Sequence, residues 1–226
     1  MLALKQALSL VSINTLGGWQ PSDETGLEAW YKYQSGITLN GSDVSIWADS
    51  SEYGADMVQS TDTEQPAYSG GVLTFVSVDV NNLQTTRQIS LTGDFTVGIK
   101  CFPTAFNNVI IADNTSINQF FKFTTTSQFR IKIGVTTQNI TLDSGTFGDD
   151  YLVITRASDV LTLYQNGIAQ STTPTLSGTL EIDAIGVRGI DTNAYAGTIE
   201  EIQIYSSSST SLTAKINDRL STLQNE

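Results

Sequence analysis

The Asn166-Gly167 pair constrains this chain more than any other two residues. A two-residue hairpin turn of type I′ needs positive φ at both central positions, and Asn-Gly satisfies that better than any other natural pair. The flanking residues agree with it. Tyr151, Val153 and Thr155 alternate with Leu152, Ile154 and Arg156. Ala157-Ser158-Asp159 then interrupts with turn formers, and Val160, Thr162 and Tyr164 alternate with Leu161, Leu163 and Gln165. Ile168 to Ser171 follows as a returning strand. A three-strand meander of β-branched and aromatic residues at this spacing belongs to an antiparallel sandwich or barrel.

The rest of the chain repeats the pattern. Leu27 to Tyr33, Val44 to Trp47, Asp56 to Gln59, Val72 to Val78 and Leu83 to Thr86 read as strands. So do Asp94 to Phe102, Val109 to Ala112, Gln119 to Thr124, Gln128 to Val135, Gln138 to Leu142, Leu180 to Val187 and Thr198 to Tyr205. Gly, Asn, Asp, Ser or Pro breaks each run, as short sandwich strands require. Trp30 and Trp47 are expected in the core. One segment departs from this: Thr213 is placed to cap a short helix over about 213–223, with Ile216, Leu220 and Leu223 on one face.

Three stretches together resemble the LamG/concanavalin A-like jelly-roll superfamily, in particular its modules in marine bacteriophage virion proteins. They are GLEAWYKYQSGITLNGSDVSIWADSSEYGADMVQS…QPAYSGGVLTF from Gly26, VITR…LTLYQNG ending at Gly167, and AYAGTIEEIQIYSSSSTSLTAKINDRL from Ala194. The resemblance implies an all-β antiparallel sandwich over residues 26–226, with the C-terminal helix as its closing element. It also implies a non-enzymatic virion structural role, as a head decoration, tail or fibre component, working through protein–protein contacts with other virion proteins. Assembly in the host cytoplasm and residence in the extracellular particle follow from that reading. Because this fold hosts lectins, glycosidases and structural proteins alike, the fold alone does not choose.

Residues 1–25 form an N-terminal arm ahead of the sandwich. Leu2, Leu4, Leu8, Leu10, Ile13 and Leu16 are apolar but interrupted by Lys5, Gln6, Ser9, Ser12 and Asn14. A secretory leader fits poorly, without a small-x-small cleavage site, and the stretch is too short to span a membrane. Leucines in such an arm need cover, from the domain itself or from a neighbouring subunit, so the arm is assigned to assembly of a homo-oligomer.

Composition removes several chemistries. The chain has no histidine, so His-based general bases, Ser-His-Asp and Cys-His arrangements and His-containing metal sites are excluded. Its single cysteine, Cys101, cannot form an intrachain disulfide and reads as a buried apolar residue. With a net charge of −12 and no basic patch evident along the sequence, nucleic acid is not an expected partner.

Three constellations remain. Glu181-Ile182-Asp183 resembles the start of the Glu-x-Asp-x-Glu strand of jelly-roll glucanases, but Ile185 and Gly186 occupy both places for the last glutamate. A retaining hydrolase needs its two carboxyls about 5 Å apart, so no catalytic residue is assigned, and both side chains are expected on a solvent face. No cofactor is expected; calcium is the alternative, with Asp79, Asn81 and Asp113 as its oxygen ligands, although no repeat spacing completes a six- to eight-oxygen shell. Trp19, Tyr164 and Tyr195 are the aromatic candidates for stacking on a host-surface glycan. A lectin-like module is accordingly the alternative to the virion role, and a glycoside hydrolase a third.

Overall fold

A computed structural model describes residues 18–148, 150–189 and 192–223; the arm residues Leu2, Leu4, Leu8, Leu10, Ile13 and Leu16 lie outside them. The strands are β1 (Leu27–Tyr31), β2 (Ile37–Asn40), β3 (Asp43–Trp47), β4 (Met57–Val58), β5 (Ala67–Ser69), β6 (Val72–Phe75), β7 (Leu83–Leu91), β8 (Phe95–Pro103) and β9 (Asn108–Ala112). They continue with β10 (Gln119–Thr125), β11 (Gln128–Ile133), β12 (Thr136–Thr141), β13 (Asp150–Ala157), β14 (Val160–Gln165), β15 (Ile168–Ala169), β16 (Leu180–Ile185) and β17 (Gly197–Tyr205). One helix, α1 (Thr210–Thr222), follows. Every strand pairing is antiparallel.

The pairings make two layers. One runs β15-β14-β13-β8-β17-β1, with β6 beside the first half of β17. The other runs β12-β11-β10-β9-β16-β7-β4-β3-β2, and β5 joins it back to β6. Between them lies the main core, where Val97, Ile99, Leu152, Ile154 and Ile202 from the first layer meet Ile89, Ile111, Phe121, Ile131 and Ile182 from the second. This is the antiparallel β-sandwich of jelly-roll, concanavalin A-like kind. Trp47 and Cys101 are buried in that core, and Asn166 and Gly167 both take positive φ (51° and 78°) in the expected turn. Ser158 and Asp159 do the same (49° and 64°), so the preceding turn has the same hand, without a glycine.

β8 shows why the helix matters. Its residues are buried on both faces rather than alternately, from Phe95 through Cys101. Phe95, Val97, Ile99 and Cys101 enter the main core, while the other face lies beneath α1. There Leu27, Trp30, Val153, Tyr205, Leu212, Ile216, Leu220 and Leu223 form a second apolar cluster. Gly98 makes this possible, because a Cβ there would stand 2.5 Å from Ile216 Cγ2. The helix starts earlier than its sequence suggests. Ser209 is the N-cap and accepts from the Leu212 N–H at 3.0 Å, while Thr213 sits inside the first turns and donates to the Ser209 carbonyl.

Candidate functional site

Alternation along β13 and β14 sends Tyr151, Val153 and Tyr164 to the helix side of the sheet, with Val153 and Tyr164 as register partners. Val153 goes beneath α1, but Tyr151 and Tyr164 are only half-buried at the edge of its cluster. Beyond the helix edge these rings form the floor of an open groove of about 570 Å³. Its opposite wall is one stripe of α1: Thr210, Thr213, Ala214, Asn217, Asp218 and Ser221. The Asn166-Gly167 turn closes one end, where a Cβ on Gly167 would lie 3.5 Å from the Tyr151 hydroxyl and 4.0 Å from Asn217 Cγ. Two flat rings opposite an amide, a carboxylate and hydroxyls form a surface that is apolar on one side and hydrogen-bonding on the other.

Asp218 also borders a smaller groove of about 300 Å³ that contains Trp19, Gln20, Lys215 and Arg219. Trp19 is half-buried, packs against the helix cluster, and has Lys215 Nζ 6.0 Å from its ring centre. Its Nε1 donates to Glu24 Oε1 at 2.9 Å, and Lys215 donates to the same oxygen, holding that carboxyl below its usual pKa. The described end of the arm therefore docks on the domain's own helix. Trp19 and Tyr164, two of the three aromatic candidates, border grooves that share Asp218.

The third aromatic candidate is placed elsewhere. Tyr195 is 1% exposed in the main core, edge-on to Phe75, and its hydroxyl donates to the Thr198 carbonyl. Burial raises its pKa well above the ordinary phenol value. It presents nothing to a ligand.

Two of the three proposed calcium residues are spent on turns of the fold, and the third stands alone at the surface. Asn81 is buried, accepts the Val76 N–H at 2.8 Å and donates to the Gln65 carbonyl at 3.1 Å. Asp113 accepts from the Thr115 N–H and hydroxyl at 2.7 and 2.6 Å, as an Asx turn does. Asp79 is exposed at the end of a 3-10 turn, Ser77–Asp79. Among the described residues no group of three or more Asp, Glu or Cys is arranged to hold a metal ion.

Glu181 and Asp183 do not share one exposure. Glu181 is half-buried and accepts from Ser90 Oγ at 2.5 Å. Asp183 is 8% exposed, not solvent-facing as its alternation suggests: the β16–β7 register shifts beside it, between Ile182 and Ala184, and the turn at Asn114 packs on its carboxylate. Burial raises its pKa, and its Oδ1 accepts the Asn114 N–H at 2.6 Å.

The groove wall on α1 is the part that sequence reading missed. Its signal was present: positions 210, 213, 214, 217, 218 and 221 recur at the helical period, beside the apolar stripe of Ile216, Leu220 and Leu223.

No protein-family model matches the chain, and no curated protein matches it in sequence. Solved structures do match in fold. Domain 4 of the extracellular arabinanase AbnA from Geobacillus stearothermophilus, solved with arabinotriose, superposes with TM-score 0.55 at 13% identity, over 85% of this chain and 97% of that one. The botulinum neurotoxin type C structure, reported for its interaction with two ganglioside molecules, gives 0.55 at 14% identity, over 88% and 52%. Trypanosoma rangeli sialidase with the inhibitor DANA gives 0.54 at 13% identity, over 87% of this chain and 33% of that one. The chain thus spans a third of the sialidase and about half of the neurotoxin chain. At these identities the likeness is one of fold: a β-sandwich that occurs in carbohydrate-active and toxin proteins.

Proposed function

We propose that this chain is a non-catalytic glycan-binding module, and that the groove between α1 and the β13–β15 hairpins is where it holds sugar. The carrying observation is the pairing of Tyr151 and Tyr164 on the groove floor with Asn217, Asp218, Thr210 and Ser221 on its wall. A pyranose or furanose has apolar C–H faces and a hydroxyl rim, and such a groove offers aromatic surface to the first and hydrogen-bond partners to the second. The volume suits about two to three sugar residues, within the usual range of small-ligand sites. Fold neighbours solved with arabinotriose and reported with gangliosides support this reading by analogy of fold.

The absence of catalysis belongs to the same proposal. Glu181 is tied to Ser90 and Asp183 to a backbone N–H, and the strand offers no further carboxylate at Ile185 or Gly186. The virion role rests on the sequence resemblance and on arm residues outside those described. The two readings are compatible, since a particle-borne module that grips a surface glycan would be both.

A glycan-array screen of the purified protein tests the reading. Binding to a defined oligosaccharide that Tyr164→Ala removes supports it. A blank array, or hydrolysis of a bound glycan that Glu181→Gln abolishes, contradicts it.

A further inference from the structure

The outer face of β9–β12 gathers charge that is scattered in sequence. Lys122 on β10 and Arg130 on β11 are register partners, Phe120 and Lys132 are the next pair on that face, and Asn139 on β12 faces Arg130. Arg188 reaches over from the loop after β16. Its guanidinium carbon is 4.6 Å from the Phe120 ring centre, and Lys122 Nζ is 5.3 Å from the same ring. Four of the chain's eleven Lys and Arg therefore share one face of a protein whose net charge is −12.

None of the four meets a carboxylate within 4.0 Å among the described residues, where the ion pairs are Arg87–Glu28, Lys215–Glu24 and Arg219–Glu201. Each turns instead to a neutral oxygen. Lys122 donates to Asn107 Oδ1, Arg130 to Asn139 Oδ1 and Lys132 to Asn118 Oδ1, all at 2.7 Å, and Arg188 to the Ile117 carbonyl at 2.8 Å. Arg188 Nε is buried with no hydrogen-bond partner among the described residues. Neighbours across strands are about 5 Å apart and diagonal ones about 7 Å, so one anionic group could touch two of these cations.

A purely structural cation in this chain looks different. Arg156, 1% exposed, is spent on the carbonyls of Leu91, Gly93, Leu176 and Gly178. On the β9–β12 face, by contrast, like charges neighbour one another with only single neutral oxygens as partners. Burial, with Arg188 and Arg130 nearby, pushes the Lys122 pKa down to about 8.

We propose that this face is a second ligand site, separate from the α1 groove, that binds a short acidic saccharide through its carboxylate or sulfate groups. Arg130, Lys132 and Arg188 take the anionic group. Asn118 and Asn139 spend their Oδ1 atoms on the cations and keep their Nδ2 donors for sugar hydroxyls. A long nucleic acid fits poorly, because the overall charge repels a polyanion away from this one patch.

The test is calorimetric titration with trigalacturonate, a sulfated heparin disaccharide, neutral maltotriose and triglutamate, at low ionic strength and at about 0.3 M salt, where screening is much stronger. The expected result is binding of one or both acidic sugars that weakens with salt, with maltotriose silent at this face. Arg130→Gln and Lys132→Gln, both at partly exposed positions, should each weaken it about tenfold or more, and Tyr164→Ala should leave it unchanged. Trigalacturonate binding would identify a carboxylate ligand, and disaccharide binding alone a sulfate. The proposal is overturned if neither acidic sugar binds, if both Gln variants bind as the parent does, or if triglutamate binds as tightly. Loss of acidic-sugar binding in Tyr164→Ala would place that ligand in the groove and overturn it as well.

Discussion

Arg219 Nε lies 2.6 Å from Glu201 Oε1, and both side chains are buried between α1 and the sheet, at 5% and 0% exposure. The pair sits in a polar layer inside an otherwise apolar contact. Arg219 Nη2 reaches Glu201 Oε2 at 2.9 Å, Gln203 donates to Oε1 at 2.7 Å, and the Tyr33 N–H donates to Oε2 at 3.0 Å. The guanidinium also stands 5.1 Å from the Trp30 ring centre. Both charges have lost water, so each depends on the other.

Removing one partner strands the second. Arg219→Met or Glu201→Gln should each cost about 3–5 kcal/mol, the usual penalty for breaking a buried pair. Urea unfolding of the parent and both variants measures it. A loss under about 1 kcal/mol in both would mean that water reaches this layer and the pair is not sealed.

Gly98 sets how closely α1 approaches the sheet. Gly98→Ala should destabilise by about 1–3 kcal/mol, as overpacking does, because its Cβ would meet Ile216 Cγ2 at 2.5 Å. Ile216→Ala opens a cavity of its own, but in its presence Gly98→Ala should cost less, and a double-mutant cycle reads that coupling. Strictly additive effects would show that the helix does not rest on this glycine.

Lys122 predicts a stability change with pH. Its folded pKa of about 8 lies below the ordinary lysine value of 10.5, burial being the main cause. Between these values the unfolded chain binds the extra proton, so stability rises with pH across that window and the penalty is full below it. Denaturant unfolding at closely spaced pH values should show the parent gaining on Lys122→Met from about pH 8 to 10. A flat difference between the two would contradict the placement of Lys122.

Asp183 gives the opposite sign. Burial raises its folded pKa, so the charged form is disfavoured in the fold: the cost is absent below the unfolded pKa and present above the folded one. Asp183→Asn keeps an acceptor for the Asn114 N–H, which Asp183 now receives at 2.6 Å. Its melting temperature should equal or exceed the parent's at neutral pH and match it in acid. A clear drop at neutral pH would show that the carboxylate charge has a partner of its own.

The hairpins were legible because their chemistry is local. Asn166-Gly167 needs only its own φ angles, and the alternation of Leu152 and Ile154 with Tyr151 and Val153 needs only the strand period. β2 and β5 escaped, since Ile37–Asn40 and Ala67–Ser69 are short and mostly exposed and carry no strong alternation. Tyr195 misled for a different reason. A tyrosine between two alanines, in a short stretch bounded by Asn193 and Gly197, looks like part of a surface turn until Phe75 and Gly197 close around it. The face at Phe120 was invisible in the same way, because Lys122, Arg130, Lys132 and Arg188 become neighbours only through strand register and a returning loop. Half of the groove, Tyr164, could be named from sequence. The other half needed the helix to be read for its polar stripe as well as its apolar one.

The most direct test of the central claim is NMR titration of the full chain with the best oligosaccharide from the array, following amide shifts in α1 and the β13–β15 hairpins. The account predicts shifts concentrated at Gly167, Thr213, Asn217 and Asp218, absent in Tyr164→Ala although that variant folds. Shifts confined to other surfaces, or undiminished in Tyr164→Ala, would contradict it.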